Sequence, residues 1–114
     1  MKVEIVEQFY GIPNSDDSFL MTIYSNGEEI GEIQARKEDL NRHWLYLYME
    51  KKYRKRGYMS KYLPRFLKEI KREGVKILLA QARNSNKISQ HILEKNNFFK
   101  ATKGKKAIGY IKIL

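Results

Sequence analysis

The chain has 114 residues, of which 42% are hydrophobic and 12% aromatic, so it holds enough apolar material for one core and predicts a single domain over residues 1–114. It has no cysteine, which excludes a disulfide framework, a thiolate metal site and a cysteine nucleophile. Two widely spaced histidines and scattered carboxylates predict no metal site. We find neither a signal peptide nor a run of roughly 18 apolar residues, and therefore expect a cytoplasmic protein with no membrane partner.

The formal net charge of +10 is unevenly distributed along the chain. Residues 1–50 carry 4 Lys/Arg and 10 Asp/Glu, residues 51–76 carry 11 and 2, and residues 77–114 carry 8 and 1. This asymmetry predicts a dipolar molecule whose basic side can meet phosphate and whose acidic side can attract cations. A solvated, lysine-rich surface is the simpler explanation for the basic residues after position 76. The run Lys-Lys-Tyr-Arg-Lys-Arg at residues 51–56 is denser.

The first half of the chain predicts four strands, at residues 1–10, 19–24, 29–35 and 44–49. Residues 11–18 are turn formers, which leaves no room for a helix between the first two strands. The pair Asn26-Gly27 predicts a tight hairpin turn between the second and third strands. Apolar and aromatic residues alternate without a polar face over residues 44–49, so we expect the fourth strand to be central and buried on both faces, with Trp44 in the core.

The second half predicts the order helix, strand, helix, strand, strand. Apolar residues recur at three- and four-residue spacing from Met59 to Ile70, which is typical of an amphipathic helix ending near Gly74, although Pro64 interrupts it. A strand follows at residues 75–82, a second helix at 87–96, and two strands at 98–102 and 106–114. The chain is therefore predicted to be an α/β (α+β) protein with the order β-β-β-β-α-β-α-β-β.

The basic loop between the fourth strand and the first helix predicts an anion site. A strand that enters a helix through a tight loop leaves backbone N–H groups without partners at the helix start, where the helix dipole adds positive potential. Gly57 permits close backbone approach, and Arg54, Lys55 and Arg56 supply charge. A single glycine in a basic loop is also compatible with an ordinary turn.

Two segments carry a resemblance to a known family. The loop resembles the pattern Arg/Gln-x-x-Gly-x-Gly/Ala, with Arg54 and Gly57 in the first and fourth places. The segment 86–98 is similar to Asn-x6-Tyr-Glu-Lys-x-Gly-Phe, and its matching residues are Asn86, Glu94, Lys95 and Phe98. Over residues 19–114 the chain thus resembles a small, truncated member of the GNAT superfamily of acyl-CoA-dependent N-acetyltransferases.

The resemblance implies a GNAT-like mixed central sheet from which the helices between the first two strands are missing. It also implies a wedge between the fourth and fifth strands that holds acetyl-CoA as the acyl donor. The residues that it assigns to this cofactor are Leu47 and Met49 on the pantetheine arm, Arg54, Lys55, Arg56, Gly57, Tyr58, Met59 and Ser60 around the pyrophosphate, Asn86 near the pantetheine or the fifth-strand loop, and Leu93 at the thiolate.

Three positions depart from the family pattern, and the general base is not obvious. Met59 replaces a small residue, Leu93 replaces the Tyr that in many members protonates the departing thiolate, and Asn97 replaces a Gly. For the base we expect His43, near the start of the fourth strand, with Glu32 and Glu50 as alternatives. We interpret the other histidine, at position 91, as a packing or solvent residue.

The resemblance implies an acetyl-CoA-dependent N-acetyltransferase in which a small amine, a protein lysine or an amino terminus attacks the thioester directly. Two alternatives remain open at this point. The chain could be a catalytically weak or inactive GNAT-fold CoA-binding protein, or a basic module that binds nucleic acid through residues 51–56 and the first helix. We expect a monomer or a homodimer.

Overall fold

The computed structural model describes residues 5–12, 17–39 and 41–114. Its elements are, in chain order, β1 (Ile5–Gly11), β2 (Phe19–Ser25), β3 (Glu28–Lys37), β4 (Arg42–Met49), α1 (Tyr58–Arg72), β5 (Ile77–Arg83), α2 (Lys87–Lys95), β6 (Phe99–Lys103) and β7 (Ala107–Ile113). A short 3₁₀ turn, Lys51–Tyr53, lies between β4 and α1. The predicted order of elements is confirmed, and the first four residues of the predicted first strand lie outside the described residues.

The strands form one mixed sheet in the order β1-β2-β3-β4-β5-β7-β6. Neighbouring strands are antiparallel, except that β4 and β5 run parallel. The β2–β3 hairpin turns through Asn26 and Gly27 with φ of 50° and 85°, the two positive values that a type I′ turn requires. The predicted α/β class and the predicted hairpin are both confirmed.

The connection from β1 to β2 is short. Gly11 pairs with Phe19 in the antiparallel ladder, and the Ile12 N–H donates to the Ser18 carbonyl at 2.8 Å. Within the described residues no helix separates these two strands, as the turn-forming composition of this segment predicts.

Helix α1 covers one face of the sheet. It buries Tyr62, Leu63, Phe66 and Ile70, each at most 1% exposed. The Phe66 ring meets Phe9 of β1 edge-on at 5.8 Å, which identifies the covered face as the one that carries the buried apolar residues of β2, β3 and β4. Pro64 is exposed, and the helix continues through it to Arg72 without the hydrogen bond that an N–H at this position would make.

The opposite face of β1–β4, which we call the open face, carries Tyr10, Thr22, Glu32, Gln34, Tyr46 and Tyr48 in register. Tyr46 and Tyr48 are 52% and 51% exposed, whereas Leu45 and Met49 are buried. The expectation that β4 is buried on both faces is therefore wrong, and Trp44 is half-buried rather than a core residue. The aromatic rings give β4 an apolar composition on both faces, but no helix of the described chain covers the second one.

Candidate functional site

The parallel strands β4 and β5 separate soon after they begin to pair. Their ladder consists of Arg42, His43 and Trp44 against Ile77, Leu78 and Leu79. Beyond Trp44, the edge of β4 that faces β5 forms no ladder with β5. The gap between the two strands continues into a cleft of about 890 Å³, whose lining includes Leu47, Tyr48 and Met49. The backbone of an unpaired strand edge offers N–H and C=O groups to a ligand.

The loop that follows β4 closes one end of this cleft. Arg54 reaches back and donates from Nε to the carbonyl of Met49 at 2.7 Å, which fixes the loop against the strand end. Lys55 and Gly57 have positive φ values of 62° and 80°. A Cβ built on Gly57 meets no atom within 4 Å, so glycine is favoured here by its backbone conformation and not by lack of space. Such alternation of backbone conformation turns successive N–H groups toward one side and favours anions.

Helix α1 begins at the floor of the cleft without a cap. Gly57 provides no side-chain cap, and the first turn contains no acidic residue. The first intrahelical bond runs from the Lys61 N–H to the Gly57 carbonyl at 3.0 Å, so the N–H groups of Tyr58, Met59 and Ser60 precede the helical ladder. These three residues line the cleft, and their N–H groups together with the helix dipole create a positive potential there.

Helix α2 and the end of β5 form the other wall. Asn86 lines the cleft and also caps α2, since its Oδ1 accepts from the Ser89 N–H at 3.1 Å. Gln90, only 6% exposed, donates from Nε2 to the carbonyls of Arg83 and Asn84 at 2.9 and 3.1 Å. Gln90 thereby fixes the turn from β5 to α2, which presents Arg83 and Asn86 to the cleft.

The charges around the cleft all have the same sign. Arg54, Lys55, Arg83 and Lys87 line it, and none of its described lining residues is Asp or Glu. A low-dielectric cleft bordered by one sign of charge concentrates counter-ions, so this one attracts an extended polyanion.

Most of the residues predicted to hold the cofactor come together here: Leu47, Met49, Arg54, Lys55, Gly57, Tyr58, Met59, Ser60 and Asn86 all line the cleft. Arg56 does not. Its guanidinium lies 5.7 Å from the centre of the Tyr53 ring, and Tyr53 itself lines the cleft. Arg56 therefore acts on the loop through Tyr53.

The structure does not bring Leu93 to the cleft. Leu93 is 1% exposed and belongs to the hydrophobic core, where its carbonyl accepts from the Phe98 N–H at 3.0 Å. Five other residues of α2 line the cleft: Lys87, Ile88, Ser89, His91 and Ile92. All of them except Ser89 have the spacing of one helical face, and this pattern could have indicated them in the sequence.

His43 also lies away from the cleft. It sits near the start of β4, is 4% exposed, and its Nε2 lies 2.6 Å from the carbonyl oxygen of Asp17, to which it donates. His43 precedes Met49 by six positions, which correspond to about 20 Å of strand. Of the alternatives to His43, Glu32 lies opposite Tyr48 in the ladder, and Glu50 directly follows β4.

No group of three or more His, Cys, Asp or Glu residues is placed to hold a metal ion within the part of the chain that the structure describes. None of the helices described above has the length and apolar character needed to cross a bilayer.

Comparison with known proteins agrees with this geometry. The model of the acetyltransferase (GNAT) family matches residues 3–98. The chain belongs to this family. The predicted resemblance to the GNAT superfamily is thereby confirmed. A search of the curated proteins found no significant match.

Solved structures share the fold at low sequence identity. A GNAT-family acetyltransferase from Streptococcus pneumoniae superposes with a TM-score of 0.78 at 17% identity, over 89% of this chain and 70% of its own. The ribosomal-protein-S5-alanine acetyltransferase from Vibrio fischeri gives 0.76 at 15%, over 84% of this chain and 61% of its own. A GNAT-family acetyltransferase from Elizabethkingia anophelis, solved with acetyl-CoA bound, gives 0.77 at 15%, over 96% and 98%. The chain thus spans about three fifths of the Vibrio enzyme and nearly all of the Elizabethkingia one.

Proposed function

We propose that this protein transfers the acetyl group of acetyl-CoA to an amine by direct attack of the amine on the thioester. The observation that carries the proposal is that β4 diverges from β5 and that the uncapped start of α1 lines the same cleft as the end of β4. The unpaired edge of β4 and the positive end of α1 border one cleft of about 890 Å³, which suits the pantetheine arm and the pyrophosphate of one ligand.

The pyrophosphate is expected at the N–H groups of Tyr58, Met59 and Ser60. Lys55 and Lys87 approach the same cleft from its two walls and neutralise further phosphate charge. Met59 is 9% exposed, so its side chain belongs to the core and leaves the entrance to the pyrophosphate position open. The Met at the third motif position is therefore compatible with phosphate binding.

The pantetheine arm is expected along the free edge of β4. Arg54 already occupies the carbonyl of Met49, so Leu47 is the residue whose backbone we assign to the amides of the arm. With the arm at Leu47, the thioester is expected in the gap between β4 and β5, beside Leu47 and Tyr48. This assignment also makes Arg54 a positioning residue for the loop as well as a source of charge.

The chemistry needs no covalent enzyme intermediate. Acetyl-CoA supplies an activated acyl group; the amine nitrogen forms the new C–N bond, the C–S bond breaks, and the amine's proton passes to the sulfur. A thiol has a reference pKa of about 8.5, so a thiolate is a competent leaving group near neutral pH. Loss of the usual tyrosine at position 93 is therefore compatible with turnover.

The proposal is tested by calorimetric titration of the protein with acetyl-CoA and, separately, with CoA. Two variants carry the same change of charge on exposed helical residues: Lys87→Glu in the wall of the cleft, and Lys68→Glu on α1 outside it. Glutamate is favourable in the first turn of a helix, so Lys87→Glu should not harm folding.

We expect Lys87→Glu to weaken acetyl-CoA binding tenfold or more, equivalent to about 1.4 kcal/mol, and Lys68→Glu to change it less than threefold. An equal loss in both variants would indicate a general effect of net charge. Absence of binding to the unmodified protein would overturn the proposal and favour the nucleic-acid hypothesis, whose test is salt-dependent binding of a DNA or RNA oligonucleotide that CoA does not displace.

A further inference from the structure

We propose that the acceptor is a cationic amine that binds on the open face, with its ammonium group between the ring of Tyr48 and the carboxylate of Glu32. This inference rests on the proposed function, because it assigns the second substrate of the same reaction. Three observations carry it. Tyr48 borders both the donor cleft and the open face, β3 and β4 pair in a register that sets Glu32 opposite Tyr48, and the charges at the end of β4 are unevenly distributed.

Tyr48 is the residue that joins the donor cleft to the open face. It lines the cleft between Leu47 and Met49, yet its side chain belongs to the opposite face of β4 and is 51% exposed. Tyr46 lies two residues earlier on the same face, about 6.6 Å along the strand, and is 52% exposed. The two rings form an uncovered aromatic surface at the edge of the site where the thioester is expected, and aromatic faces attract ammonium groups.

Glu32 supplies a negative charge beside this surface. It is the direct ladder partner of Tyr48, a relationship that places the two Cβ atoms about 5 Å apart on one face. Its Oε1 accepts from Gln34 Nε2 at 2.8 Å, and Gln34 Oε1 in turn accepts from Arg36 Nε at 2.7 Å. These bonds orient the carboxylate, but no Lys or Arg of the described chain forms an ion pair with it. Glu32 thus keeps a charge that can pair with a ligand.

The charges near the end of β4 also separate the two substrates. The donor cleft is lined by four cations and no described carboxylate, so it attracts the phosphates and repels an ammonium group. On the β3 side of the same strand end, Glu28, Glu29, Glu32 and Glu50 are free of ion pairs among the described residues. A polyanionic donor and a cationic acceptor would therefore approach β4 from opposite sides and meet at Tyr48.

The proposed site binds the protonated amine and does not itself perform the chemical step. The ammonium group loses one proton to solvent, the neutral nitrogen attacks the thioester carbon, and the second proton passes to the departing sulfur. The specificity that follows is for acceptors bearing a positive charge at the amine or beside it, over neutral molecules of the same shape.

The probe for this site is choline, because its quaternary ammonium cannot be acetylated at nitrogen and therefore reports binding without turnover. Its neutral isostere, 3,3-dimethylbutan-1-ol, is the matched ligand. Backbone amide spectra of the ¹⁵N-labelled protein would be recorded during titration with each compound at constant ionic strength. We expect choline to shift the signals of Glu32, Tyr46 and Tyr48, and the isostere to bind at least threefold more weakly.

Variants separate the aromatic and carboxylate contributions. Glu32→Gln and Tyr48→Ala should each weaken choline binding threefold or more, whereas Glu29→Gln, which removes a nearby charge, and Tyr48→Phe, which keeps the ring, should change it less than twofold. Equal binding of the isostere, or equal loss in Glu29→Gln, would overturn the inference. If the unmodified protein binds choline but not acetyl-CoA, the proposed function is overturned and the ammonium site remains supported.

Discussion

Arg54 donates from its Nε to the main-chain carbonyl of Met49 at 2.7 Å and so joins the basic loop to the last residue of β4. The two residues belong to the two halves of the proposed donor site, because Met49 ends the strand edge and Arg54 opens the loop above the start of α1. The hydrogen bond is charge-assisted and sets where the loop amides lie relative to the strand.

Replacement of Arg54 by lysine tests this positioning role. Arg54→Lys retains the positive charge but loses the planar Nε donor, so the loop should be less well fixed. We expect the affinity for acetyl-CoA to fall about tenfold. The free energy of unfolding should change by no more than about 1 kcal/mol, because Arg54 is exposed. Calorimetric titration and denaturant unfolding measure the two effects. Unchanged affinity would show that Arg54 contributes charge alone.

Gln90 is expected to be a structural requirement of the other wall. Its Nε2 satisfies the carbonyls of both Arg83 and Asn84 from a nearly buried position. Gln90→Leu has a similar volume but removes the donor of the Asn84 carbonyl and leaves the Arg83 carbonyl with the Asn86 N–H, so we expect the free energy of unfolding to fall by about 1–3 kcal/mol. Urea denaturation measures it. Gln81→Leu, at an exposed position of β5, is the control and should stay within about 0.5 kcal/mol of the parent protein.

The buried hydroxyl of Tyr110 is expected to make the free energy of unfolding decrease at alkaline pH. Burial, reinforced by the hydrogen bond that its hydroxyl donates to Glu94 Oε2 at 3.0 Å, raises the pKa of Tyr110 from 10.0 to about 12. The neutral phenol is thus favoured in the folded state, and its contribution is complete below pH 10 and is lost as the pH rises toward 12.

The measurement is urea unfolding of the parent protein and Tyr110→Phe between pH 9 and 11.5. Tyr110→Phe is less stable at pH 9, since it lacks the hydrogen bond to Glu94. Above pH 10 the difference should shrink by about 1.4 kcal/mol per pH unit, the value for one proton. A stability difference between the two proteins that stays constant over this pH range would contradict the raised pKa of Tyr110.

Pro64 provides a test of the helix that supports the site. It lies inside α1, where it cannot donate to the carbonyl of Ser60, and its side chain is exposed. Pro64→Ala should restore this bond and raise the free energy of unfolding by about 1–2 kcal/mol, less than the full helix penalty because alanine also gains freedom in the unfolded chain. Lys68→Ala, on the same exposed face, is the control. A decrease in the free energy of unfolding for Pro64→Ala would contradict the prediction and show that the proline ring stabilises α1.

The fold was largely predictable because its local patterns are unambiguous. Asn26-Gly27 permits the positive φ values of the hairpin turn, and the spacing from Met59 to Ile70 identifies the buried face of α1. The loop after β4 was predictable because a strand pattern ends at Met49 and a helical pattern begins near Met59, while its role as an anion site stays a prediction.

What could not be predicted depends on contacts between distant segments. The exposure of Tyr46 and Tyr48 follows from the absence of a covering helix on that face of the described chain, which an apolar run does not reveal. The different positions of Leu93 and His91 depend on how α2 rotates against the core, so a motif position alone assigned the wrong one of the two to the cleft. The roles of Gln90 and Arg54 depend on hydrogen bonds to carbonyls, which carry no signature in the sequence.

The most direct test of the donor site is to map acetyl-CoA on the protein by amide chemical shifts, which a chain of 13.6 kDa readily permits. A donor site between β4 and β5 predicts the largest changes at Leu47 and Met49, along the free edge of β4, and at Tyr58, Met59 and Ser60, at the start of α1. The basic turn of residues 103–106 should change little. Changes confined to that turn, or spread evenly over the lysines, would contradict a donor site between β4 and β5.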